Sequence, residues 1–315
     1  MREYIRDNMM KILFVGLGSI GLRHLRNTVS VLGKRNIPFT IDALRKVNNP
    51  LPTETKANIS NTFSSFSKIY DDYDVAFITN PSSLHFSTLQ AVIPIAKAVF
   101  IEKPVFTEFN ENIDSLNLRK NSLYYVACPL RRSPVVMAMK EISKKEKVFA
   151  AHLICSSYLP EWRPQSDYRS GYSAHTSEGG GVRLDIIHEM DYLVDIFGIP
   201  EKILSSSGKV SALEIDSIDL ANYILRYNEM IATIHLDYFG RVPRREVEFF
   251  CNDDTIVGDL LKNTVHYLKE DIFETFPKVD IHLAEINYFF DLLEGKEENI
   301  NDILKAVATL KLALI

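Results

Sequence analysis

Three glycines in the pattern G-x-G-x-x-G are the residues whose types and spacing indicate the most chemistry. Gly16, Gly18 and Gly21 follow the apolar run Lys11–Val15, which predicts a buried strand, and they precede a helical pattern. In such a turn the first glycine allows a tight bend and the second lets a pyrophosphate approach the backbone. The third lets the helix pack closely on the strand. Because N–H groups at a helix start face a bound phosphate, the sequence predicts a dinucleotide site here.

A lysine, Lys103, follows a second apolar run and precedes Pro104. Proline disfavours the helical conformation in the residue before it, so the backbone of Lys103 is held extended and its ammonium can be aimed. In an open parallel sheet the carboxyl ends of the strands face the ligand crevice. A lysine there can orient a reacting hydroxyl and carry protons. A solvated surface turn is the alternative, and the residue types alone do not decide between the two.

A helix predicted over residues 182–197 carries a second candidate group, and three glycines at 179–181 precede it. Asp185, His188 and Tyr192 are spaced i, i+3 and i+7, which places them on one helix face. Imidazole is the usual general acid or base near neutral pH, and a neighbouring carboxylate can fix its tautomer. The alternative is an ordinary polar face of a surface helix. The glycines favour a close backbone approach at the helix start.

The segment 158–172 combines the single tryptophan of the chain with tyrosines and arginines. Aromatic rings together with arginine suit a sugar or an anionic substrate, because guanidinium matches the geometry of carboxylate and phosphate. A loop that covers the sheet or meets a second subunit is the alternative. With the helix residue added, the predicted substrate contacts are Trp162, Arg163, Tyr168, Arg169, Tyr172 and Tyr192.

Two domains of an α/β protein are predicted to position these residues. Residues 1–130 alternate strand and helix patterns, which predicts a doubly wound parallel sheet of the Rossmann type for the cofactor. Residues 131–315 contain long runs of strand character, which predict a large, mostly antiparallel sheet for substrate binding and oligomerisation. Small-molecule sites commonly form between such domains, so we expect a cleft there.

Composition narrows the class of partner. The chain has 315 residues, a net charge of −5 and 46% apolar residues, which suits a globular protein and argues against nucleic-acid binding. The three cysteines show no C-x-x-C spacing, so neither a zinc cluster nor a disulfide framework is expected. No apolar stretch is long enough to cross a bilayer and no secretory h-region begins the chain, so a cytoplasmic location is expected.

The end of the second strand bears on the choice between NAD and NADP. An NAD fingerprint needs an acidic residue about 20 positions beyond the glycines, and Asp42 stands at that distance but inside the predicted strand. Arg45 and Lys46 follow, and two cations suit a 2′-phosphate, which favours NADP. The predicted cofactor contacts are Gly16, Gly18, Ser19, Ile20, Gly21, Arg45, Lys46, Asn80, Pro81, His85, Glu102, Lys103 and Arg131. His85 could instead merely begin a helix.

The order of these motifs resembles the glucose-fructose oxidoreductase and inositol dehydrogenase (Gfo/Idh/MocA) family. The resemblance is carried by the motifs Gly16–Gly21, Asn80–Pro81, Glu102–Pro104 and Gly179–Gly181 with Asp185 and His188. It implies a Rossmann domain followed by an α/β domain whose open sheet forms dimers or tetramers. It also implies oxidation or reduction of a sugar, cyclitol or nucleotide sugar with a nicotinamide cofactor, with Lys103, Asp185 and His188 at the catalytic positions.

Two departures from the family pattern affect this transfer. The spacing from aspartate to histidine is three rather than four, and Pro129 stands where the family tends to have asparagine, although Arg131 still fits. The short spacing resembles a bacterial subgroup associated with surface sugars. We therefore expect an NAD(P)-dependent sugar oxidoreductase. The alternatives are a sensor that binds NAD(P) without turnover and a glycosidase of the same family that uses bound NAD transiently.

Overall fold

A computed structural model describes residues 9–45, 50–70, 72–109 and 112–315. The chain divides into two compact units, the first formed by the chain up to Ala127 together with His282–Val307, and the second by Cys128–Ile281 with Ala308–Ile315. The sequence-based division at residue 130 does not anticipate that the chain returns to the first unit near its end.

The first unit is built on a parallel sheet of six strands in the order β3-β2-β1-β4-β5-β6. Strands β1 and β5 are apolar runs whose side chains are buried on both faces, as expected of parallel strands covered by helices. The strands are β1 (Met10–Val15), β2 (Phe39–Leu44), β3 (Asn61–Phe63), β4 (Tyr73–Ile78), β5 (Ala96–Ile101) and β6 (Leu123–Val126). The predicted Rossmann-type sheet is confirmed.

The second unit is built on an eight-stranded sheet in the order β14-β13-β12-β11-β7-β10-β9-β8, in which only the β10–β7 pair is parallel. The mostly antiparallel sheet expected from the sequence is therefore confirmed. The strands are β7 (Val148–Tyr158), β8 (Lys202–Gly208), β9 (Leu220–Arg226), β10 (Ile231–Asp237), β11 (Phe239–Cys251), β12 (Thr255–Asp259), β13 (Thr264–Tyr267) and β14 (Ile272–Thr275).

The α-helices are α1 (Ser19–Arg35), α2 (Thr53–Ala57), α3 (His85–Val92), α4 (Pro134–Lys145), α5 (Val182–Asp185), α6 (His188–Phe197), α7 (Ile281–Leu293) and α8 (Ile303–Leu314). Helix α1 ends where Asn36 adopts the left-handed conformation, with Lys34 and Arg35 in its last turn, where cations interact favourably with the helix dipole. The Asn-, Pro-, Ser- and Thr-rich composition of residues 47–62 predicts mostly loop, but the structure has helix α2 there and strand β3 beginning at Asn61.

One face of the second sheet is covered by helices and the other is open. Helices α4, α5 and α6 pack on strands of this sheet, and the residues of the strands that point toward them, such as Leu153, Ile234 and Phe249, are buried. On the opposite face Leu204 pairs with Ile224, and these side chains are 56% and 49% exposed. The alternation expected of an antiparallel sheet with one buried face is present.

Candidate functional site

The glycine turn joins β1 to α1 and needs glycine at two positions. Gly16 has a φ of +92°, and a Cβ added there would lie 2.7 Å from the backbone N and Cα of Asn80. A Cβ on Gly21 would lie 2.5 Å from the carbonyl oxygen of Gly16 and 2.7 Å from Oγ1 of Thr79. The tight bend and the close helix–strand packing that the spacing predicts are both present.

Gly18 is the position where a pyrophosphate can approach. A Cβ added to Gly18 meets no atom of the described chain within 4 Å, so this side of the turn is open. Helix α1 begins at Ser19, carries no acidic residue in its first turn, and has no side chain capping its first amides. The first N–H groups of a helix have no partner within the helix and bind anions well. The turn therefore fits a dinucleotide pyrophosphate.

The carboxyl end of β4 lies against this turn. The hydroxyl of Thr79 donates to the carbonyl oxygen of Gly16 at 2.6 Å, and Asn80 donates from Nδ2 to Oγ1 of Thr88 at 2.7 Å. Oδ1 of Asn80 is buried and has no hydrogen-bond partner among the described residues. A buried acceptor of this kind calls for a donor, and a cofactor hydroxyl could supply one. Pro81 is exposed and begins the turn that leads into α3.

His85, predicted as a cofactor contact, is a buried link between two turns. Its Nε2 lies 3.0 Å from the carbonyl oxygen of Asn80, and its Nδ1 lies 3.0 and 3.2 Å from those of Pro104 and Val105. Burial lowers the pKa of His85 against the opposing effect of these carbonyl groups, which favours the neutral ring. Both ring nitrogens therefore face backbone carbonyl groups of the protein.

Glu102 and Lys103 follow β5, and the carboxylate of Glu102 is buried rather than open to solvent. Its Oε1 is hydrogen-bonded to Nε2 of His24, and its Oε2 accepts from the backbone N–H of Lys103 at 3.0 Å. Burial by itself would raise the pKa of Glu102, but the bond to His24 and nearby positive charge lower it to about 2. Lys103 is half-buried, and its peptide bond to Pro104 is cis. Sequence reasoning missed His24, because a single histidine in the second turn of a helix does not indicate a contact with a distant carboxylate.

Asp42 lies inside β2 and Arg45 follows its end, as expected from the sequence. Asp42 accepts through its carboxylate from Asn61 and from the hydroxyl of Tyr73, both at 2.9 Å. Its side chain is thus committed to the protein. Arg45 follows the strand and is half-buried, with its backbone N–H bonded to the carbonyl of Phe63 at 2.9 Å. Lys46 lies outside the described residues.

In the second unit the helix predicted over 182–197 is wrong in one respect, because the structure contains two helices. Asp185 is the last residue of α5, His188 is the first of α6, and Ile186 between them has a ψ of +32°. His188 is half-buried. Upstream, a Cβ on Gly180 would lie 2.2 Å from the carbonyl oxygen of Tyr172. The close approach that the glycines allow is to the chain itself.

Asp185 is surrounded by three hydroxyl groups. The phenol of Tyr172 donates to Oδ1, while Ser173 and Tyr238 donate to Oδ2 at 2.6 and 3.0 Å. Burial and the charge of Asp185 raise the pKa of Tyr172, so that its phenol stays neutral. Tyr172 remains 40% exposed while Asp185 is buried, so the phenol connects the carboxylate to the surface. Ser173 and Tyr238 were missed, because nothing in their local pattern links them to a carboxylate.

Tyr192 was predicted to lie on a polar helix face with Asp185 and His188 and to contact the substrate, but its side chain is fully buried. Its hydroxyl has no hydrogen-bond partner among the described residues, and burial followed by the charge of Glu189 raises its pKa. Glu189 is itself buried and bonded in bidentate fashion to Arg245 at 2.6 and 3.0 Å. This part of α6 therefore belongs to the interior of the second unit.

Arg131, predicted as a cofactor contact, is engaged with two carboxylates of α6. Its Nε and Nη2 donate to Asp191 at 2.9 and 2.7 Å, and its Nη1 donates to Asp195 at 3.0 Å. Burial would lower the pKa of Arg131, but these carboxylates raise it. Because the guanidinium is buried and committed in this way, its observed role is to hold α6 to the turn that begins at Pro129.

The aromatic segment is exposed at the surface of the second unit. Trp162 is 40% exposed, donates from Nε1 to Ser157 at 2.9 Å, and packs edge-on against Tyr238. Arg163 is exposed, and its charge acts on the nearby phenol of Tyr172. Arg169 instead pairs with Asp167 and Glu214 at 2.9 and 3.0 Å. The hydroxyl of Tyr168 accepts from the backbone of Glu214 at 3.2 Å. Trp162 and Arg163 are thus linked to Asp185 through Tyr238 and Tyr172, whose hydroxyl groups donate to its carboxylate.

Comparisons with known proteins concern the family and the fold. Residues 10–125 match the oxidoreductase family with an NAD-binding Rossmann fold, GFO_IDH_MocA. No curated protein matches the chain. None of the described helices is long and apolar enough to cross a membrane.

Solved structures share the fold over nearly the whole chain. UDP-N-acetylglucosamine 3-dehydrogenase GnnA from Acidithiobacillus ferrooxidans has 18% identity and a TM-score of 0.76, covering 98% of this chain and 96% of its own. A levoglucosan dehydrogenase in complex with NADH and levoglucosan has 16% identity and a TM-score of 0.80, with coverage of 97% and 95%. The WlbA dehydrogenase from Bordetella pertussis, in complex with NADH and UDP-GlcNAcA, has 16% identity and a TM-score of 0.77, with coverage of 98% and 95%.

Proposed function

We propose that this chain, a member of the GFO_IDH_MocA oxidoreductase family, is an NAD(P)-dependent dehydrogenase that acts on a CH–OH group of a sugar or nucleotide sugar. One observation carries the proposal. The glycine turn, open at Gly18, and the turn that carries Lys103 follow β1 and β5 at the carboxyl edge of one parallel sheet. Ligands of open α/β sheets bind at that edge. The dehydrogenases of similar fold support the same class of reaction.

The cofactor, when bound, supplies hydride acceptance or donation at its nicotinamide ring. The residues that would hold it are those of the glycine turn, with the buried Oδ1 of Asn80 as acceptor for a hydroxyl. At the end of β2, the cation Arg45 follows a carboxylate that is already committed, Asp42. This favours NADP over NAD, because a 2′-phosphate needs a cation and a free ribose 2′-hydroxyl needs an available acid.

Proton transfer is assigned to residues of this chain. His188 is the acid or base on the reacting oxygen, because imidazole exchanges a proton near neutral pH. Lys103 is assigned the orientation or polarisation of a substrate oxygen. Asp185 binds the substrate through Tyr172, whose phenol donates to the carboxylate and keeps its lone pairs for a substrate hydroxyl.

The substrate class follows from the exposed groups near Asp185. Trp162 offers an aromatic face and Arg163 an exposed cation, which together suit a sugar that carries a negative charge. Nucleotide sugars and sugar acids have this chemistry, and a role in surface-carbohydrate synthesis accords with it.

The open face of the second sheet, with Leu204 and Ile224 exposed, suits a homodimer or homotetramer. Light scattering measures the oligomeric state.

The test is a turnover assay that monitors the absorbance of reduced nicotinamide with NAD and NADP across sugars, amino sugars and nucleotide sugars. A dehydrogenase changes the amount of reduced cofactor in step with substrate. Tight cofactor binding with no net change for any substrate contradicts the proposal. Substrate conversion with bound NAD and no net change indicates a glycosidase, and no conversion at all indicates a sensor.

A further inference from the structure

The turn that carries Lys103 is anchored by a buried histidine on each side. Before the lysine, Glu102 is bonded to His24. After it, the carbonyl groups of Pro104 and Val105 face His85. Both histidines are almost completely buried, with exposures of 0% and 1%. Neither is assigned a chemical step in the proposed function, so their placement requires an explanation.

His24 connects this turn to the helix that begins at the glycine turn. It lies in α1, and its Nε2 is bonded to Oε1 of Glu102, whose Oε2 accepts from the backbone N–H of Lys103. One oxygen of the carboxylate is therefore bonded to a side chain of α1, and the other accepts from the backbone N–H of the lysine itself. The orientation of the peptide between Glu102 and Lys103 is set by the position of α1.

His85 connects the other side of the turn to the end of β4. A neutral imidazole carries one N–H, so the ring donates either from Nδ1 to Pro104 and Val105 or from Nε2 to Asn80, at comparable distances. Two of the three carbonyl groups belong to the lysine turn. Asn80 lies against Gly16, where an added Cβ would come within 2.7 Å of it. With its proton on Nδ1 the ring is bonded to the lysine turn, and its Nε2 side only packs against the backbone of Asn80.

We propose that His24 and His85 are positioning residues for Lys103, which hold its turn from both sides, and that His24 also ties it to the helix that begins at the turn that binds the pyrophosphate. The inference rests on the proposed function, since it concerns the placement of the lysine assigned there. A misplacement of about 1 Å can cost on the order of 10²-fold in rate, so a half-buried lysine on a turn benefits from two anchors.

Paired amide substitutions test the two contacts separately. Glutamine places its amide nitrogen near the Nε2 position of histidine, and asparagine places it near Nδ1. At position 24 the Nε2 contact matters, so His24→Gln should retain most of kcat and His24→Asn should lose ~10- to 100-fold. At position 85 the Nδ1 contact matters, so the order reverses, with His85→Asn retaining more of kcat than His85→Gln.

The reversal separates positioning from a merely structural role, because a role in filling space would favour the same amide at both positions. The dissociation constant of the reduced cofactor should change by less than about threefold in the better variant of each pair. Thr28→Val is the control, since Thr28 is buried in the same helix and its hydroxyl has no partner among the described residues. It should leave kcat unchanged.

A second measurement uses the wild-type protein and needs no activity. ¹⁵N spectra of the histidine rings should show a proton on Nδ1 of His85 and a proton on Nε2 of His24. A second proton on the other nitrogen of either ring is also compatible with the inference. An Nε2-only proton on His85, an Nδ1-only proton on His24, or the same amide order at both positions overturns the inference. Absence of any NAD(P)-linked turnover in the wild type would instead count against the proposed function, and the ring spectra would still decide the inference.

Discussion

The phenolic hydroxyl of Tyr172 donates a hydrogen bond to Oδ1 of Asp185, and the ring is 40% exposed while the carboxylate is buried. The phenol therefore connects the buried carboxylate to the surface. Tyr172→Phe removes this hydroxyl, and we expect kcat/KM for the sugar to fall ~10²-fold because the substrate loses its hydrogen-bond partner. Steady-state kinetics with the best substrate of the panel measure it.

The control for this prediction is Ser173→Ala, which removes a donor to the same carboxylate from its buried side. That variant should lose some stability and less than ~10-fold in kcat/KM. Equal losses in the two variants would mean that Asp185 only stabilises the fold.

Lys103→Met and His188→Gln should each lower kcat by ~10²- to 10⁴-fold, because each removes a group to which the proposed function assigns orientation of the reacting oxygen or transfer of its proton. Binding of the reduced cofactor, measured by fluorescence titration, should remain within about threefold of wild type. Lys97→Met is the matched control, because Lys97 lies on β5, the strand that leads to Lys103, and pairs with Asp74 at 2.8 Å. Normal turnover in both site variants would remove the proposed roles.

Gly18→Ala and Gly21→Ala should fail in different ways. An alanine at position 18 meets no atom of the described chain, so the Tm should be unchanged while cofactor affinity falls by at least ~10-fold through loss of the close pyrophosphate approach. An alanine at position 21 meets the carbonyl of Gly16 at 2.5 Å, so stability should fall by about 1–3 kcal/mol. Thermal unfolding and isothermal titration distinguish the two outcomes.

Arg45→Glu should shift the preference between cofactors toward NAD. A carboxylate at the end of β2 repels a 2′-phosphate and can accept from a 2′-hydroxyl. We expect the ratio of kcat/KM for NADP to that for NAD to fall by at least ~10-fold. The result that counts against a 2′-phosphate contact is an unchanged ratio.

The stability of the protein should depend on pH through Glu102. Its pKa falls from 4.5 to about 2 in the folded state, so its contribution to the free energy of unfolding is present above pH 4.5. That contribution is lost as the pH falls toward 2. The shift corresponds to about 3 kcal/mol. Denaturant unfolding of the wild type and of Glu102→Gln between these pH values gives the free energy of unfolding as a function of pH. This free energy should change less with pH in the variant than in the wild type. An equal pH dependence in the two proteins would contradict the assignment.

Local sequence signals were enough for the glycine turn and for the strands of the first sheet other than β3. The spacing of Gly16, Gly18 and Gly21 has a steric cause that acts between near neighbours, and buried parallel strands are continuous apolar runs. The turn that carries Lys103 was predicted for the same reason, because a strand end and a proline are both visible in the sequence.

The helix break at Ile186 could not be predicted, because its cause is not local. The apolar period runs on through 182–197, but Asp185 is bonded to Ser173 and Tyr238, residues 12 and 53 positions away. Tyr192 shows the same limit, since it is buried near the Glu189–Arg245 pair, whose members are 56 positions apart. Periodicity describes one helix face and does not identify the element packed against it.

Residues 282–307 complete the first unit, and this has a practical consequence for expression. Phe289 lies 5.7 and 5.3 Å from the rings of Phe77 and Phe100, and Glu285 accepts from Tyr125 at 3.0 Å. A fragment truncated after Ala127 would lose these partners and leave aromatic core residues uncovered. An isolated nucleotide-binding module therefore has to be produced with residues 282–307 supplied in trans, or joined to Ala127 through an artificial linker.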